Sequence, residues 1–370
     1  MRVLFVHSIG RKKYGGGERW AVNAAEGLHR KGNTVYAAVQ DKSVMKEELM
    51  SRGVQTISFN LYSNLSLYQA LRLFWIIRKY KIDVVICKGQ ELVVCGLAVK
   101  LSKQTILIRR TGSPPLRKKS RKLIWRTHCF VDGVVTNTTT IKQVYARHGF
   151  SSSDFVKVIY NGLSINDVIP PYDFSKAYPG KKVVLCVGRA VAHKGYFYLI
   201  DALPEIKKQF PDLYFYVVGD GKDKERLIAY AKEKRVEDAI YFAGYVHNPV
   251  PYFKGCDFFL HPSLYEGMPN APMEAMAYGK PVIMTRVNGA EELSKGGEYA
   301  LLIPPASPEA ISGAIRNAME NPEVFKALGK KAKPYVRQTF GMDTMISHLE
   351  NFITQRLAVK RKKRLNLNSE

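Results

Sequence analysis

The chain has 370 residues, enough for two domains of ordinary size, and its 46% hydrophobic and 11% aromatic content excludes a disordered polymer. Its formal charge is +25, from 57 Lys and Arg against 32 Asp and Glu, and no run of about 18 uncharged apolar residues occurs, which argues against a membrane-spanning helix. Five cysteines (Cys87, Cys95, Cys129, Cys186, Cys256), scattered and without a C-x-x-C pair, fit free thiols in a reducing compartment better than a disulfide frame or a zinc site.

The opening "MRVLFVHSIGRKKYGGGERW" superficially resembles a signal peptide. Its apolar core of about six residues is too short, however, and no small-residue cleavage site follows. It reads as a buried first strand. The helical "ERWAVNAAEGLHRKG" comes next, then the strand "TVYAAVQ". Further on, "DVVICKG", "TILIRR" and "DGVVTNT" read as buried strands between helical segments. The second half repeats the pattern with "KVVLCVGR", "LYFYVVGDG", "IYFAGYV", "DFFLHPS" and "PVIMTR". Near-continuous apolar strands separated by helices imply parallel sheets covered on both faces. The Pro-, Gly- and charge-rich stretch 166–182 reads as a linker. The expected fold is therefore α/β, with two doubly wound, Rossmann-like domains (residues 1–166 and 167–342) facing each other across a cleft at the carboxyl ends of their strands. The amphipathic "TMISHLENFITQRLA", a helix over about 343–360, is expected to pack back on the first domain, and "KRKKRLNLNSE" reads as a basic, frayed end.

The charge is lopsided. Residues 1–165 carry 28 basic and 9 acidic residues, whereas residues 166–370 carry 29 and 23. The first half is expected to face something anionic, either membrane or nucleic acid. The basic stretch "RRTGSPPLRKKSRKLIWR" concentrates this charge and interleaves Leu116, Leu123, Ile124 and Trp125. It reads as an interfacial helix, with Arg117, Lys118, Lys119, Arg121, Lys122 and Trp125 as membrane contacts. The plain alternative is a helix that packs its apolar stripe on the sheet and solvates its lysines.

Three glycine-bearing loops follow strands. "YGGGERW" precedes a helix, where glycines admit a ligand and the helix start offers N–H groups to an anion. It matches neither G-x-G-x-x-G nor the Walker phosphate loop. In "VGRAVAHKG", Arg189 and Lys194 suit a diphosphate, though taken alone the loop reads slightly better as two surface cations. In "VVGDGKDKERL" turn chemistry is the obvious explanation. Then comes "EGMPNAPMEAMAYGKPV". Pro272 fits the first turn of a helix, which places Glu274 in that turn and Glu266 in the loop before it. A helix cap accounts for Glu274 but leaves Glu266 and the rigid turn between them unexplained.

"GGGERWAVNAAEGLHRKGNTV", "VIYNGLSI", "VLCVGRAVAHKG" and "DFFLHPSLYEGMPNAPMEAMAYGKPVI", in this order and spacing, resemble the retaining GT-B glycosyltransferases of family 4 over essentially the whole chain. The last segment resembles that family's E-x7-E motif. The resemblance implies a nucleotide-sugar donor, with Glu266 on the transferred sugar and Glu274 on the ribose. It implies that backbone N–H groups of Met268 and Asn270 approach the sugar or its phosphate, and that Val246 meets the base. Arg189 and Lys194 would neutralise the leaving diphosphate, and Gly16 and Gly17 would let the first domain come close to it. No D-x-D sequence occurs, so the expectation is no metal and no cofactor, with the cations doing that work. The family commonly carries a His near the reacting carbon where this chain has Arg110 and Thr111. That puts any protein base in doubt and leaves Arg110 and His7 as acceptor-side candidates, His128 being taken as structural.

The expected activity is retaining transfer of a hexose-type sugar, from UDP by preference, to a lipid-linked or envelope glycan such as a lipopolysaccharide core. The expected location is cytoplasmic, peripheral on the inner face of the cytoplasmic membrane. A GT-B epimerase or phosphorylase is the alternative enzyme, the latter lacking an identifiable pyridoxal-phosphate lysine. A basic nucleic-acid-binding protein is the alternative from another class, but no helix-turn-helix, RRM, KH or zinc pattern accompanies the charge, so no nucleic acid is expected.

Overall fold

Each long apolar run becomes a parallel strand with helices on both of its faces. The structure is a computed structural model and describes residues 1–7, 15–61, 63, 65–112, 120–150 and 154–367. In chain order the elements begin with β1 (Arg2–His7), α1 (Gly16–Arg30), β2 (Thr34–Val39), α2 (Val44–Ser51), β3 (Gln55–Ser58), α3 (Leu67–Lys79) and β4 (Val84–Cys87). Then follow α4 (Leu92–Ser102), β5 (Ile106–Thr111), α5 (Ser120–Phe130), β6 (Gly133–Thr136), α6 (Thr139–Ala146) and β7 (Val156–Val158). The next stretch holds α7 (Phe174–Ala177), β8 (Lys182–Val187), α8 (Tyr196–Gln209), β9 (Leu213–Val218), α9 (Lys224–Glu233), β10 (Ile240–Gly244) and α10 (Val250–Gly255). It continues with β11 (Phe258–His261), α11 (Asn270–Ala277), β12 (Val282–Thr285), α12 (Asn288–Ser294), β13 (Leu301–Ile303), α13 (Pro308–Glu320) and α14 (Pro322–Thr339). Helix α15 (Met342–Leu367) ends the described chain.

These elements form two units, Met1–Gly162 with Met342–Glu370, and Leu163–Gly341. The first holds a parallel sheet of order β3-β2-β1-β4-β5-β6-β7, and the second a parallel sheet of order β10-β9-β8-β11-β12-β13. In each, strand order reverses beside the unit's first strand, between β1 and β4 and between β8 and β11. At such a reversal the loops leave in opposite directions and open a crevice at the strands' carboxyl ends. The Pro-rich stretch 166–182 belongs to the second unit, where Phe174 is buried and Asp167 pairs with Arg337 at 2.7 Å.

The first sheet has a core on each face. On one side Val3, Phe5, Val35 and Ile108 meet α1, α2 and α15, and on the other Leu4, Val85 and Leu107 meet α3, α4 and α6. Helix α15 contributes Met345, Ile346, Leu349, Phe352 and Ile353 to the first of these cores. It is also tied there by Asn33 Nδ2 to Glu350 (2.8 Å) and by the Lys360–Asp132 pair (3.2 Å). Gly27 makes this approach possible, since a Cβ there would lie 2.4 Å from Ile346 Cγ1. Gly27→Val should therefore cost about 1–3 kcal/mol through overpacking of the α1–α15 seam. Urea unfolding of the first unit reads this, while the second unit's transition stays where it was.

Candidate active site

At the reversal point of the second sheet, the loop after β8 lies against the loop after β11. Gly195 has φ +75°, and a Cβ there would stand 1.9 Å from the carbonyl oxygen of Pro262, so only glycine lets the two backbones meet. The Leu264 N–H donates to the carbonyl of His193 (2.8 Å) and locks the contact. From the other side, Gly289 N–H donates to Gly267 O (3.0 Å) and Asn288 Nδ2 to Glu266 O (3.3 Å). Thr285, at the end of β12, donates to the carbonyl of Ser263.

This stitching carries Glu266 to Lys194. Lys194 Nζ, His261 Nε2 (3.1 Å) and Ser263 Oγ (3.0 Å) all bond to one oxygen, Oε1. Among the described residues, Oε2 has no partner. A carboxylate held by one oxygen presents the other as an acceptor for hydroxyl groups. Burial alone would raise the Glu266 carboxyl, but the bond from His261 and the charge of Lys194 more than offset it and hold the group at about 2. Burial lowers His261, and its bond to Glu266 opposes that shift.

The remaining donor-side candidates lie beyond strands β8 and β10 and at the opening of α11 in the same unit. Arg189 follows β8, is exposed, and has no bonded partner for its guanidinium among the described residues. Val246 is half-buried just beyond β10. Met268 is buried, and Asn270 opens α11 behind Pro269, which occupies the cap position. One expectation is corrected here. Helix α11 starts at Asn270, so Glu274 is its fifth residue and lies in the second turn, not the first. Two further residues, His193 and exposed Tyr265, stack at 4.8 Å beside the site.

The first unit has a matching cluster at its own reversal point. Glu18, in the first turn of α1, accepts from the Gly15 N–H at 2.8 Å, as a helix-capping carboxylate does. Its Oε1 takes Lys88 Nζ at 3.1 Å, and His7 Nε2 lies 3.3 Å away. Burial would raise the Glu18 carboxyl, but His7 and Lys88 hold it well below the usual range. A Cβ on Gly17 would lie 2.6 Å from Lys88 Nζ, so glycine keeps that ammonium in place. Arg110, at the end of β5, stacks on Trp20 (4.9 Å) and donates to Asn161 Oδ1 (3.0 Å). Burial lowers its guanidinium to about 10, with the charge of Glu18 opposing. Together His7, Gly17, Trp20, Lys88 and Arg110 line a cavity of about 20 Å³, room for one water, and among the described residues the buried Trp20 Nε1 has no hydrogen-bond partner while His7 Nε2 has only its 3.3 Å approach to Glu18.

With the geometry in place, the comparisons decide the family. The model of glycosyl transferases group 1 matches residues 172–334, and that of glycosyltransferase family 4 matches residues 14–167. The chain belongs to the family 4, group 1 glycosyltransferases, with the GT-B fold. A lipopolysaccharide core biosynthesis glycosyltransferase, LpsE of Rhizobium meliloti, is 25% identical and covers 86% of this chain and 90% of its own. The Anabaena protein Alr3699/HepE, solved in complex with UDP-glucose, has 22% identity and a TM-score of 0.82 over 96% of this chain and 99% of its own. A lipopolysaccharide outer core galactosyltransferase, WaaB, has 21% identity and a TM-score of 0.75 over 96% of this chain and 100% of its own.

In this glycosyltransferase the sequence assigns Lys194 to the diphosphate and Glu266 to the sugar without pairing them, and four residues that complete the clusters are not singled out there: Glu18, Lys88, His261 and Ser263. Glu18 carries a readable signal, a glutamate three residues after a helix-opening glycine. His128 is exposed on α5 and stacks on Phe150 at 4.0 Å. Of the expected membrane contacts, Arg121, Lys122 and Trp125 are exposed on α5, whereas Arg117, Lys118 and Lys119 lie outside the described residues. Leu123 and Ile124 pack against the core, so α5 does not present the apolar stripe expected of it.

Since the folded Glu266 value lies below its ordinary 4.5, the carboxylate contributes stability that is fully present above that pH and is lost as pH falls towards 2. Glu266→Gln should thus be less stable than the parent at neutral pH. The gap should close on acidification between pH 4.5 and about 2, as read by thermal or urea unfolding of the second unit. A gap constant across that window would show that Lys194 and His261 do not hold the charge.

Proposed function

We propose that this glycosyltransferase moves a hexose from a UDP-sugar, with retention of configuration, to a lipid-linked or envelope glycan such as a lipopolysaccharide core. The observation that carries the reading is the Glu266 carboxylate, pinned through Oε1 by Lys194, His261 and Ser263 with its second oxygen available. The free oxygen accepts hydroxyls of the transferred sugar. Glu274 takes the ribose hydroxyls, and the backbone beside Val246 takes the base. Lys194 has three N–H donors and can hold both Glu266 and the departing diphosphate, with Arg189 on the other side of that charge. Backbone N–H groups of Met268 and Asn270, at the opening of α11, add to the phosphate's stabilisation.

In this reading no metal and no cofactor takes part. The bond between the anomeric carbon and the donor phosphate breaks, the acceptor oxygen bonds on the same face, and the acceptor's proton goes to the departing phosphate oxygen. Fixed donors around that oxygen supply what a Lewis acid otherwise would. The acceptor approaches the first unit, where His7, Lys88 and Arg110 offer donors. The protein works as a cytoplasmic enzyme peripheral on the inner face of the cytoplasmic membrane, drawn by its basic first half. Support comes from the UDP-glucose complex of HepE and from the lipopolysaccharide-core relatives.

The assay is release of UDP from a panel of UDP-hexoses in the presence of membrane-extracted acceptor, with and without EDTA. Glu266→Ala and Arg189→Ala should each lower kcat by roughly a hundredfold or more, as loss of a group stabilising transition-state charge does. EDTA should leave the parent unchanged, and the product should keep the donor's anomeric configuration by NMR. Undiminished transfer by Glu266→Ala removes the donor assignment, and an inverted product removes the mechanism.

A further inference from the structure

Helix α3 is apolar on both sides. Its inner residues Ala70, Leu73 and Ile77 are buried in the core of the first unit. Its outer residues are Leu67 (63% exposed), Tyr68 (72%), Leu71 (44%) and Trp75 (68%). Spacings of three, four and seven or eight residues put these four on one stripe of the helix surface. A single exposed leucine is ordinary, whereas a contiguous apolar stripe with a tryptophan marks a surface that meets something.

The charges around the stripe indicate what. Arg72, Arg78 and Lys79 are exposed on the same helix, and no acidic residue occurs from 61 to 82. Across residues 61–131 eight Lys and Arg are exposed among the described residues, Arg109 and Arg110 being buried, against two acids, Asp83 and Glu91. Asp83 accepts from the Arg2 N–H at 2.7 Å, and Glu91 is fully buried. Long basic side chains beside an apolar stripe lay their stems along it and lift their charge to the level of lipid phosphates. A second copy of the chain would press two rows of like charge together. A nucleic acid would satisfy the cations but leave Leu67, Leu71 and Trp75 without a partner.

We propose that the outer face of α3 is the docking surface for an anionic lipid bilayer, with Leu67, Tyr68, Leu71 and Trp75 among the headgroups and Arg72 and Lys79 on lipid phosphates. Helix α4 packs against both α3 and α5. The exposed Trp125 and basic residues of α5 therefore add to the same side of the sheet, but α3 supplies the insertion. Only the surface's use, to reach a lipid-linked acceptor, rests on the function proposed above.

The chain has 3 tryptophans, and Trp20 is buried at 4% exposure, so a change in emission on vesicle binding reports Trp75 and Trp125. The full-length protein is mixed with vesicles of phosphatidylcholine alone, or of phosphatidylcholine and phosphatidylglycerol in equal parts, and followed by sedimentation and emission spectra. Binding to the anionic vesicles should blue-shift the emission. Trp75→Phe should remove most of the shift, and Trp125→Phe should keep most of it. The Leu71→Ser/Trp75→Ser pair should lower partitioning about tenfold or more. The Arg72→Gln/Lys79→Gln pair should lower it about tenfold at low salt and by less at high salt.

Partitioning unaffected by the Leu71/Trp75 pair overturns the proposal, and so does a blue shift that follows Trp125 alone. A homodimer dissolved by the same pair assigns the face to a second copy, and gel-shift of duplex DNA or RNA lost with that pair assigns it to nucleic acid. Either result also overturns the proposal. Thermal shift with UDP-sugars, expected to be equal in all these variants, confirms folding and tests the donor reading separately, so that each reading can fail alone.

Discussion

Keeping one carboxylate charged inside a mostly buried loop takes donors from three places in the chain. Glu266 receives Lys194 from the loop after β8, His261 from the end of β11 and Ser263 from the turn between. An unpaired buried carboxylate would take up a proton and lose both its charge and its pull on a ligand's hydroxyls. The surrounding architecture serves this requirement. Gly195 brings the two loops to backbone contact, Thr285 fixes the Ser263 carbonyl, and α12 ties down Gly267. Lys194 is the interaction on which the others converge, since removing it takes away the one side chain of fixed positive charge that meets this buried carboxylate among the described residues.

The two units repeat one solution with different parts. In each, a lysine and a carboxylate meet beside the sheet's reversal point, Lys88 with Glu18 and Lys194 with Glu266. In the first unit the carboxylate comes from the start of a helix and the lysine from a strand end; in the second both come from loops. Strand order dictates the placement, because the reversal is where two neighbouring strands send their connections to opposite faces. Such a crevice collects polar groups that have no place in the core. Among the described residues the buried Trp20 Nε1 has no partner, so the first unit's cluster holds a donor that its own carboxylate does not occupy.

The long strands are legible in the sequence because parallel strands covered on both faces are apolar without alternation. Strands β3, β7 and β13 are not. All three are sheet-edge strands of three or four residues and partly exposed; β3 and β7 carry no apolar run, and the apolar β13 is only three residues long. At the site, Lys194, Glu266 and Glu274 are legible through the motif that contains them. His261 and Ser263 are not, because "DFFLHPS" reads as core from end to end. Lys88 becomes meaningful only when β4 is seen beside β1, which strand order decides and local sequence does not. Helix α11 shows the limit of local signals: Pro272 correctly marks the first turn of a helix that begins at Asn270, but with Pro269 at the cap Glu274 is the fifth residue and falls one turn further on. On α5 the interleaved apolar residues are real, yet Leu123 and Ile124 face the core while the exposed stripe lies on α3, whose run "LYQALRLFWII" hides two apolar faces in one helix.

Helix α15 has a consequence for how the protein is made. The first unit needs Met345 to Ile353 to finish the core that begins at Val3, whereas the second unit is one uninterrupted stretch, Leu163–Gly341. On the ribosome the second unit can close as soon as its last strand and helices emerge. The first must wait, with Phe5, Val35 and Leu28 uncovered on one face, until a whole further domain has been synthesised. The later unit in the sequence is thus the earlier one to be completed. The half of the chain with the greater excess of positive charge spends the longest time incomplete, and its self-repulsion works against association of the exposed face during that interval.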